Sequence, residues 1–258
     1  SLQLPLNNCG VMALDYFGVN GVATSIGHAP LVALISPSKG SRIAIGKALT
    51  NIIWAPLEKG LKSVTLSANW MWPCNNPGED ARLYDAVEAC STFAIDLGIN
   101  IPTGKDSLSM KQKYKDKEVI SPGTVIISAA ANCNNINNVI EPSFINNGNA
   151  IYYIDLSSAG LKLGGTALAQ TLGKIGCETA DLCDAKYFKK VFDTFQDLIK
   201  SDLITSGHDI SSGGLITTLL EMCFPENKIG AKIDLSFYEQ SDIAVSYTHL
   251  TLPTMVQV

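Results

Sequence analysis

Histidine is scarce in these 258 residues: His28, His208 and His249 are all there is. The seven cysteines form no CxxC pair, and their number is odd. That composition supports neither a His/Cys metal centre nor a disulfide framework. It reads as reduced, mostly buried thiols of a cytosolic protein. There is no GxxxxGK[ST] and no GxGxxG, so neither a P-loop nor a dinucleotide fold is supported. There is no GxSxG, and His208 and Asp209 are adjacent in the chain, so their side chains diverge; a Ser-His-Asp hydrolase is a poor reading. No apolar run reaches about 18 residues, which gives no membrane-spanning helix. The N-terminal SLQLPL carries no charged region or long apolar stretch, so it does not read as a signal peptide. It also lacks an initiator Met, which points to a start inside a longer protein. The net charge of −5 and the lack of a Lys/Arg-rich arm argue against a nucleic-acid partner.

What is present is ordinary for a cytoplasmic α/β protein. Hydrophobic residues make up 46% and charged residues 17%, enough for a sizeable core. The length suits one large domain or two ordinary ones. Residues 9–16 and 21–26 read as strands, and 31–35 as a further short one. Ile45, Leu49, Ile52 and Ile53 then recur at helical spacing, with Ser41 as N-cap and Pro56 as terminator. Lys47 and Asn51 share one face of that helix. Residues 64–66 read as a strand that leaves as a loop through 67–73. A helix follows, opened by Glu79-Asp80 and ended by Gly98, with Leu83, Val87, Phe93, Ala94 and Leu97 buried. Residues 111–118 read as a solvated hairpin tip, and 123–131 as a fully buried strand.

The Asn-rich stretch 132–149 is read as a boundary between domains over 1–147 and 148–245. Beyond it come a strand over 150–156 and helices over 166–175, 185–200 and 215–224. In the second helix Phe188, Val191, Phe192, Phe195, Leu198 and Ile199 lie on one side. A last strand is expected over 229–235. Residues 246–258 read as a foreign tail in which His249 carries no function.

Three stretches could carry chemistry. GKDSLSM (104–110) gathers a glycine, a cation, an acid and small hydroxyls, the equipment of a phosphate–Mg²⁺ centre. HDISSGG (208–214) precedes a helix, so Asp209 and the free N–H groups could hold a metal and a phosphate, or Ser211 or Ser212 could simply be the N-cap. Gly164-Gly165-Thr166 is a second such helix entry, for which close packing is the simpler explanation.

Eight segments in order resemble one family: LNNCGVMALDY (6–16), ATSIGHAP (23–30), GSRIAIGKALTNI (40–52), LSANWMWP with NPGEDARLYDAV (66–73, 76–87), IPTGKDSLSMK (101–111), SPGTVIISA (121–129), LGGTALAQ (163–170) and GHDISSGGLITTLLEM (207–222). They are similar to the second synthetase half of the large, single-chain phosphoribosylformylglycinamidine synthases (formylglycinamide ribonucleotide amidotransferases).

The resemblance implies an α/β fold of the aminoimidazole ribonucleotide synthetase kind. An N-terminal half-barrel subdomain would be followed by an incomplete C-terminal α/β subdomain. It implies an ATP- and Mg²⁺-dependent ligase of purine biosynthesis. That enzyme phosphorylates the amide of formylglycinamide ribonucleotide and displaces the phosphate with glutamine-derived ammonia. The catalytic histidine and the glutaminase cysteine would lie in a first synthetase half and a glutaminase domain outside this chain, so no catalytic residue is carried over and the isolated chain is expected to be inactive. Asn69, Gly104, Lys105 and Ser107 are carried over as nucleotide- or substrate-contacting. Asn7, Lys47 and Ser211 are carried over to an auxiliary nucleotide site, with Asn8, Asn51 and Asp209 as its metal ligands. Two positions depart from the pattern: Asn8 stands where some relatives have a metal-binding Asp, and Lys47 where a metal-binding Glu is usual. A protonated lysine cannot ligate Mg²⁺ but can pair with phosphate. The alternatives are a non-catalytic structural half that holds a nucleotide, or another ATP-using enzyme of the same fold group. An unpaired half-barrel would expose apolar surface and tend to self-associate.

Overall fold

The computed structural model describes residues 6–146, 148, 150–158, 160–225, 229–236, 242–247 and 254–257. Ser1–Pro5 and His249, with the expectation attached to it, lie outside the described residues.

The chain opens with an antiparallel hairpin, β1 (Cys9–Ala13) and β2 (Gly21–His28). The apolar run expected as a strand over 31–35 is instead a helix, α1 (Pro30–Ile35). Pro30 at its first turn supplies a preset φ and lacks only an N–H that would be unbonded there. The next helix, α2 (Pro37–Ile52), starts earlier than expected. Its N-cap is Ser36, whose hydroxyl accepts from Lys39 N, and Pro37 takes the first position. Ser41 therefore sits inside the helix and donates back to Pro37 O.

The strand expected to end at 66 continues as β3 (Thr65–Met71). Helix α3 (Glu79–Leu97) ends as expected at a left-handed Gly98, but Val87 is exposed, and Ala86 and Cys90 join Phe93, Ala94 and Leu97 on its buried face. GKDSLSM is divided between a strand and the stretch after it. Its first half belongs to β4 (Asn100–Ser107), which runs parallel to β3. A small hairpin follows, β5 (Lys111–Lys113) with β6 (Glu118–Ile120), tied by the Lys111–Glu118 ion pair. Strand β7 (Thr124–Cys133) alternates buried and outward positions rather than being buried throughout. The order of the main sheet is β1-β2-β7-β3-β4.

Helix α2 packs on one face of this sheet, and the inward residues of β2 show how. They are Ala23, Ser25 and Gly27, all small and buried. Ser25 Oγ donates to Ala48 O at 2.6 Å. A Cβ on Gly27 would stand 2.1 Å from Ala44 O and 2.4 Å from Ala48 N. Only glycine lets the helix come this close to the strand. Large residues fill the rest: Leu49, Ile52, Leu57, Leu61, Leu66 and Ile127 are completely buried.

The second unit contains β8 (Ile151–Ile154), α4 (Ala167–Thr171), α5 (Ala185–Lys200), β9 (Ser206–Asp209), α6 (Gly214–Cys223), α7 (Asp242–Tyr247) and β10 (Thr254–Gln257). Asp184 caps α5 through Tyr187 N. The aromatic side of α5 does not serve its own unit alone. Phe188 meets Phe93 edge-on at 6.3 Å and Phe195 meets Trp54 at 5.9 Å, so both belong to the main core. Gln196, buried on the same helix, accepts from Leu57 N and donates to Ile53 O and Ala55 O. It satisfies the backbone where α2 unwinds, across about half the chain's length.

A smaller core holds Phe144, Ile210, Leu215, Leu219, Met222 and Val245. Residues 229–235 are not a strand. The sheet of this unit is β8-β10-β9, so its middle strand comes from 254–257, inside the segment expected to be a foreign tail.

Candidate functional site

The unpacked face of the main sheet and the turn after β9 enclose an open cavity of about 1160 Å³. Four separated stretches reach it. Asn7 and Asn8 precede β1. Lys47 and Asn51 come from α2. Asp209 ends β9, and Ser211 and Ser212 come from the turn between it and α6. The outward residues of the sheet, among them Thr24, Ile26, His28, Ser67, Thr103 and Ser128, form the floor. All six residues carried over to an auxiliary nucleotide site therefore line one cavity.

Its inner end is built around Asp209, which is 2% exposed. Burial alone would raise this carboxyl, but His208 and Asn8 hold it below the usual carboxylate range. Asn8 Nδ2 donates to Asp209 Oδ1 at 2.9 Å. His208 Nδ1 lies 3.2 Å from the same oxygen, and His208 Nε2 lies 3.2 Å from Glu221 on α6. Burial would lower the imidazole, yet the two carboxylates outweigh it and lift His208 to about 9. Sequence reasoning gave His208 no role and missed Glu221, whose partner lies on a neighbouring strand with no local signal.

Lys47 is buried too. Its Nζ donates to Ser212 Oγ at 3.1 Å. Burial pulls its ammonium down to about 8, and the charge of Asp209 works the other way. Asn51 Nδ2 donates to Ile26 O at 2.9 Å, leaving Asn51 Oδ1 buried without a partner. Neither Ser211 nor Ser212 caps α6. The N-cap is Gly213, with no side-chain bond to the first turn. His28, on the floor, is lowered by burial and by Lys47. Cys9 lines the cavity but is no nucleophile at neutral pH: burial, then Cys133, pushes its thiol to about 12.

The residues carried over to a catalytic centre gather elsewhere, along the β3–β4 ladder. Ser67 pairs with Thr103, Ala68 with Gly104, Asn69 with Lys105, and Met71 with Ser107. Alternation puts Asn69, Lys105 and Ser107 on the face that Ser67 and Thr103 share with the cavity floor, further along the strands. A Cβ on Gly104 would stand 2.2 Å from Ala68 O. Lys105 is exposed, and its ammonium donates to Asp106 O and Ser107 Oγ, both at 2.6 Å. Asn69 Oδ1 is buried and unpartnered. The Gly164-Gly165 turn lies away from the cavity: Gly164 packs on Glu178 O and Gly165 on Val32, the close-packing explanation.

The magnesium implied by the resemblance can be tested against these donors. Asn51 Oδ1 is a buried acceptor with no partner, as a ligand would be. Among the described residues Asp209 is the one carboxylate lining the cavity, and Asn8 turns its amide nitrogen, not its oxygen, toward it. A buried ammonium stands in the same end of the cavity. Among the described residues no cluster of three or more His, Cys, Asp or Glu could hold a metal. The set does not fit a divalent cation.

The titrations predict a measurable pH dependence. Between about 6.5, the unperturbed value, and about 9, the native state keeps a proton on His208 that the unfolded chain has lost, so stability falls as pH rises. Lys47 has the opposite sign. Between about 8 and 10.5 the unfolded chain holds the extra proton, so its share of stability rises with pH. From pH 6.5 to 8 the His208 slope dominates; His28, lowered in the folded state, works the other way but adds only the upper tail of its unfolded-state titration. Denaturant unfolding in metal-free buffer should show a loss on the order of 2 kcal/mol across that window. Stability that is flat or rising there would rule out a charged His208.

A half-open mixed sheet backed by helices, joined to a second α/β unit that closes over a polar cavity, defines the class of fold: the aminoimidazole ribonucleotide synthetase-like fold. Solved structures bear this out. Thermotoga maritima PurL complexed with FGAR superposes with a TM-score of 0.69 at 14% identity, covering 97% of this chain and 39% of that one. PurL complexed with ATP gives 0.65, also at 14% identity, covering 97% and 38%. The FGAR-AT PurM_N-like domain matches residues 1–132, and the C-terminal domain of AIR synthase related proteins matches 146–251. The chain belongs to the FGAR-AT PurM_N-like family, and its relatives are phosphoribosylformylglycinamidine synthases. The human enzyme is 39% identical over 91% of the chain, and probable enzymes of Arabidopsis thaliana and Caenorhabditis elegans are 41% and 38% identical over 91% and 96%. The chain spans only 17–20% of the length of these relatives.

Proposed function

We propose that this chain is a piece of an ATP-dependent carbon–nitrogen ligase that converts formylglycinamide ribonucleotide to the amidine with glutamine-derived ammonia, through a phosphorylated amide. Its own share is a nucleotide-holding half. One observation carries that assignment: Asn7, Lys47, Asn51, Asp209 and Ser211, far apart in sequence, line one cavity. Lys47 supplies a cation beside the start of α6, whose first turn has no side-chain cap although Gly214 N donates to Ser211 O, and a cation at a helix start is chemistry that receives phosphate. The related PurL structures complexed with ADP and AMPPCP support a nucleotide as occupant.

The β3–β4 strip of Asn69, Gly104, Lys105 and Ser107 forms one wall of a catalytic centre, completed by a first synthetase half and fed by a glutaminase domain. ATP reaches that centre as its Mg²⁺ complex. Residues 1–147 act as half of a barrel, and the outward side chains Met12, at 70% exposed, and Ile26, at 57%, face its mate or another copy. The enzyme works in the cytoplasm. The chain by itself binds nucleotide and does not turn over.

In the complete enzyme, Lys105→Ala and Ser107→Ala should each lower kcat by on the order of a hundredfold while leaving the fold intact, since removing one positioned hydrogen-bond donor costs about that much. Unchanged turnover in both would take the strip out of the catalytic centre. Amidine formation by the chain alone would sink the nucleotide-holding assignment.

A further inference from the structure

The disagreement between the donor set and a bound metal has a physical resolution in Lys47. A carboxylate with a bound divalent cation carries one net positive charge, and so does a lysine. We infer that Lys47 takes the place of the divalent cation: its ammonium binds the phosphate oxygens of a nucleoside di- or triphosphate directly, without metal. This rests on the reading that the cavity holds a nucleotide.

The geometry supplies what such a substitute needs. The ammonium has a fixed place, because Nζ donates to Ser212 Oγ at 3.1 Å and the stem leaves α2 where the helix packs on β2. It has a counter-charge in Asp209, held ionised by Asn8 and His208. That counter-charge is already engaged, so it stabilises the lysine without neutralising the ligand-facing side. One hydrogen bond to Ser212 leaves two of the three ammonium donors for phosphate. Ser212 lies in the turn that opens α6, so the ammonium stands beside the helix start whose first N–H groups have no side-chain cap. A strongly hydrated divalent ion, by contrast, would meet a single carboxylate already paired through Oδ1 and a like charge.

The test is equilibrium binding of ADP to the full chain, measured by calorimetry in excess EDTA and again in millimolar Mg²⁺. The two dissociation constants should agree within about threefold, since neither contact requires the metal. Lys47→Gln should weaken ADP by at least about tenfold in both buffers, the usual effect of losing a charged hydrogen-bond donor. Lys47→Glu should bind ADP only when Mg²⁺ is present, because the variant restores an anionic donor beside Asp209 and Asn51. Circular-dichroism melts check that the variants fold, and the EDTA comparison on the unaltered chain decides the matter if they do not. Binding by the unaltered chain that disappears in EDTA overturns the inference and leaves the nucleotide reading standing. No ADP binding in either buffer overturns both.

Discussion

Asp209→Ala should destabilise the chain by about 3–5 kcal/mol, the cost of removing one partner from a buried ion pair. Three groups lose their counterpart at once. Asn8 Nδ2 loses its acceptor, His208 loses one of its two carboxylates, and Lys47 loses the charge that offsets its burial. Water cannot repair the defect fully, since Asp209 and His208 are both almost fully buried. Urea unfolding of the single variant measures the loss. The double variant Asp209→Ala with Lys47→Met should recover part of it, because the lysine's unpaired charge is then gone too. A single-variant loss below about 1 kcal/mol would mean the cluster is not a charged network. Nucleotide affinity should follow in the same direction, as Lys47 loses what holds its ammonium in place.

Gly27→Val is the second large effect. The new Cβ would meet Ala44 O and Ala48 N, both backbone atoms of α2 that cannot rotate away. The helix must lift from β2, and the expected cost is about 3 kcal/mol, the upper end for overpacking a close-packed contact. The consequence for the site is larger than for the fold. Lifting α2 pulls Asn51 off Ile26 O and carries Lys47 away from Ser212. A variant that still folds, as judged by its melt, should therefore lose ADP binding. Retained binding with a lowered melting temperature would show that the site does not depend on this packing.

The glycine also shows how far a sequence can be read. That α2 is a helix was visible in the spacing of Ile45, Leu49 and Ile52. That it presses on β2 through Ala23, Ser25 and Gly27 was not, because a small residue in a strand looks the same whether it faces solvent or a helix. The run at 31–35 is ambiguous for a related reason: five apolar residues fit a strand or a buried helix, and Pro30 decides only once it is the first residue of a turn. In β7 the outward Ser128 and Ala130 are small, one weakly polar and the other apolar, so the alternation looks like continuous burial. In GKDSLSM glycine, lysine and aspartate are poor strand formers, so nothing local marks residues 104–107 as strand; the parallel ladder with β3 overrides that preference.

By itself the sequence determined the long amphipathic helices, the absence of a P-loop or hydrolase site, and the family, through eight segments in order. It also marked Lys47 as out of place, since a cation cannot ligate a metal. The tertiary structure alone decided where that cation goes. Its partner, Ser212, lies 165 residues away. Glu221 reaches His208 from a neighbouring helix, α5 lends its aromatic side to the core of the first unit, and residues 254–257 take the middle of the second sheet. Periodicity records which side of an element is buried, over a window of a few turns. It carries nothing about which distant element does the burying, and a charge network assembled from four stretches exists only once packing has brought them together.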